Sequence, residues 1–276
     1  RDLRPDAGRS LDRDADRRRR RLHHLPQILA ERGRVRRHPD RLAVVEIHHD
    51  HRCTRGRTGE GARTAGEGLL GDEGLMGPDN VYIHFTNASD AQIRRIKDTG
   101  GSLSIAAPIE MAMRHGMPPI QQALDAGIRP SLSSDVETTM AADMFSQMRS
   151  VFTLQRALIN ERSIKGEKSL PPLLQSRDVI EFATLQGART DGLESKVGTR
   201  THGKEADIVL LRTDLFNTLP FNNAYGAVVT AMDTSNVDTV FVAGKAVKRA
   251  GKLVDVDLAS VRRQAAASRD YLVGKL

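Results

Sequence analysis

From Gly68 onward, short apolar runs alternate with capped, amphipathic stretches of helix length, and this alternation restricts the possible folds most. Strands separated by helical connections pair in parallel through crossovers, which sets an α/β class. Val81-Tyr-Ile is the first run. Ser89-Asp-Ala-Gln92 is a capping-box pattern for a helix with Ile93 and Ile96 on one face, stopped by Gly100 and Gly101. Ser102-Leu-Ser-Ile is a second strand, and Pro119 to Ala126 a short helix closed by Gly127. A third strand leads from Gly127 to Asp135. A long helix is expected from about Thr139 to Glu161, with Met140, Met144, Met148, Val151 and Leu158 along one side as core packing, and a further helix at Ser176 to Arg189. The pattern then changes. Ala206 to Leu211 reads as a strand, Val237 to Val242 and Lys245 to Lys248 as a hairpin continued by Lys252-Leu-Val, and a helix runs from about Leu258 to the end.

The chemistry sits at strand ends. Asp135 closes the third run and opens onto a loop, and His84 does the same for Val81-Tyr-Ile, 51 positions upstream. Barrel enzymes place metal ligands and bases at the C-terminal ends of their strands. The two groups together suggest one metal-assisted hydrolytic site. Each has a plainer reading: Asp135 as a helix N-cap beside Ser133 and Ser134, and His84 as a hydrogen-bonded histidine at a strand end. Turn chemistry explains Ser133 and Ser134 without making either a nucleophile.

Composition divides the chain. Residues 1–66 hold 18 arginines, no lysine and 10 acids, a net +8, whereas the remainder is close to neutral. Arg17 to Arg21 run unbroken. A basic arm that binds nucleic-acid phosphates is one reading. Against it, no aromatics interleave for base stacking and lysine is missing, as when a GC-rich coding sequence is read out of frame. The segment is therefore expected to be an anomalous extension, irregular or disordered. Cys53 is the only cysteine, which rules out an intrachain disulfide and a thiolate metal cluster. No apolar run reaches the roughly 20 residues of a membrane span, and no secretory h-region opens the chain, so a cytoplasmic protein without a membrane partner is expected.

Several stretches occur in the order of a known family. Val81-Tyr-Ile-His84, Gly127 to Asp135, Gln186-Gly-Ala-Arg189, Gly203-Lys-Glu-Ala-Asp207 and Val242-Ala-Gly-Lys-Ala-Val together resemble the C-terminal half of the metal-dependent amidohydrolase superfamily. The branch is that of cytosine, guanine and S-adenosylhomocysteine deaminases and triazine hydrolases. The resemblance implies an incomplete TIM-like (β/α) barrel, its last strands only, over 67–192, and a partial β-sandwich with a C-terminal helix over 193–276. It implies that His84 ends the sixth barrel strand and Asp135 the eighth. By the same resemblance a divalent metal, zinc in this branch, lowers the pKa of bound water toward neutrality. Asp135 would ligate that metal and accept a proton from the water, while His84 would hold or polarise the attacked group. Glu110 takes a pocket-lining position, with a possible substrate contact, and Asp207 a structural one.

Departures from the family pattern matter too. Its His-x-His and its fifth-strand histidine should lie upstream of His84, in the arginine-rich segment. His48, His49 and His51 follow an apolar run there, and one of them could stand for the fifth-strand ligand, although chance in a His- and Arg-rich stretch also accounts for them. Ile105-Ala-Ala-Pro108-Ile-Glu110 stands where many members carry a His-x-Pro-x-Ser-Asn-like sequence.

The reading is a metal-dependent hydrolase of carbon–nitrogen bonds, deaminating or dechlorinating a small nitrogen heterocycle, from a chain that lacks part of the site and so holds metal poorly. The alternatives are an arginine-rich nucleic-acid-binding protein and a non-catalytic pseudoenzyme, the latter using its barrel face as a homo-oligomer.

Overall fold

The computed structural model describes residues 34–37, 43–46, 74–114 and 116–275, the first two segments by their backbone. The Arg17–Arg21 run, the three histidines at 48, 49 and 51, and Cys53 lie outside the described residues.

A five-stranded sheet carries the first half. In chain order its strands are β1 (Arg34–Arg37), β2 (Ala43–Glu46), β3 (Asn80–Ile83), β4 (Ser102–Ile105) and β5 (Ser131–Leu132), and they lie side by side in that order. From β2 to β5 all pairing is parallel, with Val44 opposite Val81, Val81 opposite Ser102, and Ser104 opposite Ser131; β1 runs antiparallel along β2. Irregular chain was expected before Gly68, yet β1 and β2 form there. The run Ala43-Val-Val has the β-branched content that suits a strand.

Helices fill the crossovers. Between β3 and β4 lies α1 (Asp90–Asp98). Its capping box is complete: the Ser89 hydroxyl accepts the Gln92 N–H at 3.3 Å, and the Gln92 Oε1 accepts the Ser89 N–H at 2.7 Å. Ile93 and Ile96 are fully buried. The chain returns to β4 through Gly101, where a Cβ would stand 2.9 Å from Tyr82 Cε2 and 3.2 Å from Ile96 Cγ2, so only glycine lets α1 approach β3 this closely.

After β4 come α2 (Ala107–Ala112) and α3 (Ile120–Asp125), and Gly127 at φ +73 turns the chain into β5. Then α4 (Met144–Ile164) spans 21 residues. It starts later than Thr139 because Asp143 caps it, accepting the Ser146 N–H at 2.8 Å. Its buried face is Phe145, Met148, Val151, Gln155 and Ile159. The methionine stripe is thus only partly right: Met148 and Val151 are core, Met140 precedes the helix, Met144 is exposed, and Ile159 replaces Leu158 because the buried line advances by four from Val151 to Gln155 and again to Ile159. The helix expected over Ser176 to Arg189 is α5 (Ser176–Glu181), a wider π turn over Phe182–Gln186, and α6 (Gly187–Thr190). The core joins Tyr82, Leu103 and Ile105 of the sheet to Ile93, Ile96, Ile120, Val151, Val179 and Phe182 of the helices. β4 is buried at Leu103, Ser104 and Ile105 in succession, as expected for a parallel strand covered on both faces.

The second half is a separate antiparallel sheet: β6 (Ile208–Leu211), β7 (Val237–Val242), β8 (Lys245–Arg249) and β9 (Lys252–Leu253), in that order. Asp207 anchors its first turn, accepting the Ala243 N–H at 2.7 Å. Val209 and Leu210 of β6 remain about half exposed, and α7 (Leu258–Val273) buries none of its residues among those described. No described helix is long and apolar enough to cross a membrane.

Candidate active site

His84 follows β3 directly. Its N–H still donates to Ser104 O at 3.0 Å, so the ladder continues one residue beyond the strand. The backbone then leaves it abruptly: φ is +69 at His84 and +55 at Phe85. Left-handed non-glycine residues each cost on the order of 1 kcal/mol and persist only where their surroundings impose them. Here Phe85 is buried edge-on against Tyr82, with ring centroids 5.5 Å apart, which holds the turn closed.

Asp135 arrives from the other side of β4. The sequence suggests that it ends a strand, but β5 pairs only at Ser131 and Leu132. Ser133 adds one more bond, its N–H donating to Ile105 O at 2.9 Å, and the chain then peels away. Asp135 itself takes φ +60. It is therefore a loop residue three positions past the strand, with a side chain about one-third exposed.

These two turns bring the side chains together above the end of β4. His84 Nε2 lies 3.6 Å from Asp135 Oδ2, longer than a direct hydrogen bond and close enough for both to touch one small ligand. The other ring nitrogen, Nδ1, is 3.1 Å from Glu110 Oε1.

Glu110 belongs to α2, a helix that the sequence reading did not identify. The signal was present: Pro108 sits in the first turn of α2, where its missing N–H costs nothing. Glu110 was expected to line a pocket, within reach of substrate. It is instead wholly buried behind the imidazole. Its Oε1 accepts the Ala106 N–H at 2.8 Å, and its Oε2 has no hydrogen-bond partner among the described residues. Burial pushes this carboxyl above its ordinary value; the hydrogen bonds from His84 and Ala106 pull the other way without cancelling that effect, and the Asp135 charge adds to the rise. Beside Asp135, the Ser133 hydroxyl is also buried without a partner among the described residues.

Among the described residues no group of three or more His, Cys, Asp or Glu side chains is placed to hold an ion. A catalytic zinc takes three protein ligands. An imidazole and one carboxylate do not make that set, so a complete centre would need donors from outside the described residues.

A parallel sheet with an imidazole and a carboxylate converging beyond the C-terminal ends of its strands defines an α/β protein of enzyme type. The chain belongs to the amidohydrolase family, whose model matches residues 41–247. That match takes in β2 and begins inside the segment that composition sets apart as 1–66.

Among curated proteins, the chain is 30% identical over 206 residues to the 5-methylthioadenosine/S-adenosylhomocysteine deaminase of Desulforudis audaxviator, covering 74% of this chain and 46% of that protein. It is 29% identical over 206 residues to the 5'-deoxyadenosine deaminase of Methanothermobacter thermautotrophicus, with the same coverages of 74% and 46%. The chain thus spans about half the length of the curated relatives it matches.

Two solved structures share the fold. The adenosine deaminase from Xanthomonas campestris with bound zinc superposes with a TM-score of 0.70 at 24% identity, covering 78% of this chain and 48% of that one. Atrazine chlorohydrolase from Arthrobacter aurescens, complexed with zinc, gives 0.64 at 19% identity over 72% and 42%.

Proposed function

We propose that this chain is the C-terminal part of a metal-dependent hydrolase that deaminates a small nitrogen heterocycle of the adenosine-derivative class. The carrying observation is the convergence of His84 Nε2 and Asp135 Oδ2 at 3.6 Å, from strands that do not neighbour each other. In this reading β3 to β5 are the last three strands of a (β/α) barrel over 67–192, β2 is the strand just before them, and the β6–β9 sheet belongs to a partial β-sandwich over 193–276. Deaminases among the relatives support carbon–nitrogen cleavage and an adenosine-type substrate. Zinc in the two solved neighbours supports a divalent metal.

The division of labour follows from the chemistry of the two groups. Asp135, partly open to solvent, accepts a proton from the attacking water and counts as a metal ligand. His84, buried beside it, holds the group under attack while charge develops there. The leaving nitrogen departs as ammonia. Further metal donors must come from outside the described residues, with His48, His49 and His51 the candidates that follow β2 in sequence. A cytoplasmic enzyme without nucleic-acid or membrane partners is the corresponding cellular picture.

The test is ammonia release from adenosine, 5'-deoxyadenosine and 5'-methylthioadenosine by the purified 276-residue chain, with metal content measured in parallel. Expected are less than one zinc per chain as purified, and weak turnover that appears at saturating zinc and disappears in Asp135→Asn. No zinc-dependent ammonia from any of the three would overturn the activity. One tightly held ion per chain would overturn the incompleteness of the site.

A further inference from the structure

We infer that Glu110 is the positioning residue of this site: it takes the proton on His84 Nδ1 and thereby fixes Nε2 as the ring atom presented to a ligand. The chemical use of that arrangement rests on the function proposed above, whereas the hydrogen bond itself does not.

The argument starts from the shared oxygen. Glu110 Oε1 receives the Ala106 N–H at 2.8 Å and lies 3.1 Å from His84 Nδ1. A backbone N–H can only donate, so Oε1 is already acting as an acceptor. A carboxylate oxygen, or the carbonyl oxygen of a neutral carboxyl, accepts a second N–H readily. A hydroxyl at Oε1 would have to donate to a bare Nδ1 while accepting from Ala106, a poorer arrangement. The proton therefore belongs on Nδ1. Which ring nitrogen of a histidine carries its proton is set by the partner of the other, and here one nitrogen has a buried partner while the second faces Asp135.

Placement argues against a substrate contact. Glu110 is wholly buried, in α2 behind the imidazole, and it reaches no ligand side of the site. It stands to His84 as an outer carboxylate stands to a working histidine, fixing the tautomer and ring plane. The sheet contributes as well. His84 leaves β3 at φ +69, so its backbone alone gives the ring little support from the strand, and the Glu110 contact supplies the second anchor.

A consequence for the substrate follows. With Nδ1 protonated and the ring neutral, Nε2 carries a lone pair and accepts a hydrogen bond. It therefore suits a ligand that offers an N–H or O–H at that point, such as an exocyclic amino group on an aromatic ring or the attacking water, in preference to a carbonyl oxygen.

Isotopically labelled histidine in the full chain, read by proton–nitrogen correlation NMR at a pH where the ring is neutral, tests this directly. The His84 signals are assigned by their loss in His84→Asn. Wild type is expected to show a protonated Nδ1 and a bare Nε2. In Glu110→Ala the proton should move to Nε2. In Glu110→Gln, whose amide oxygen still faces the Ala106 N–H, it should stay on Nδ1. A bare Nδ1 in wild type or in Glu110→Gln, or an unchanged Nδ1–H in Glu110→Ala, would overturn the inference. If Glu110→Ala does not fold, the wild-type spectrum decides alone. An intact Nδ1–H without deamination would sink only the proposed activity, and deamination with a bare Nδ1 would sink only this inference.

Discussion

Gln155 offers the most direct check on how the scaffold beneath the site is held. It lies on the inner face of α4 with no solvent exposure. Its amide nitrogen donates to Gln121 Oε1 of α3 at 2.9 Å and to Pro172 O at 3.1 Å, and its Oε1 accepts the Leu174 N–H at 3.2 Å. One side chain thus ties α4 to α3 and to the segment that enters α5. Gln155→Leu is close in volume and removes all three bonds. The Leu174 N–H is left buried without an acceptor, which costs about 1–3 kcal/mol. Gln121 is only partly buried and Pro172 is exposed, so both regain water at small loss, while the leucine recovers some apolar burial. The net expectation is a destabilisation of about 2 kcal/mol, seen as a lower urea midpoint at unchanged slope. For a chain of this size that corresponds to a Tm lower by roughly 4–8 °C. A loss below about 0.5 kcal/mol would refute the reasoning, because the Leu174 N–H would then have found another partner.

Three further outcomes are expected. Gly101→Ala drives a Cβ to within 2.9 Å of Tyr82 and should cost about 1–3 kcal/mol by urea unfolding. In any preparation that turns over, Asp135→Asn should lower kcat by roughly 100-fold or more, the scale of losing a general base, while leaving the Tm within a few degrees. Glu110 has a folded pKa raised above its ordinary 4.5, so the native state binds its proton more tightly than the unfolded chain does. That contribution is complete below about pH 4.5 and is lost as pH rises through the folded value. Urea midpoints should therefore fall across that window, and Glu110→Gln, with no proton to lose, should flatten the fall.

How much of this was legible beforehand depends on range. Local signals were read correctly where one stretch of chain decides the outcome. Ser89 and Gln92 announced α1, Gly127 announced the turn into β5, and the 237–253 run announced an antiparallel hairpin. Periodicity was less reliable in α4, where the buried Gln155 interrupts the apolar line and shifts it away from Leu158. The third strand shrank to two paired residues because pairing depends on the neighbouring strand, which its own sequence does not report. At the site, residue types were visible and distances were not. His84 and Asp135 could be nominated from their places after apolar runs, and their separation of 3.6 Å is a property of two backbone turns. Glu110 was legible only as an acid near the site. Its burial behind the imidazole depends on α2 forming, and no helix was read between the second strand and Pro119.

Those two turns limit which residues either position can carry. A left-handed backbone tolerates Asp, Asn, His and Gly far better than branched or bulky side chains. At 84 and 135, stereochemistry and reactivity therefore favour overlapping sets of amino acids. Amide or glycine replacements probe the chemistry with the peptide path intact, whereas valine or threonine would move the chain and the functional group at once. Drift that silenced the site would tend toward those same permissive types, leaving a loop of familiar shape from which the acid had gone.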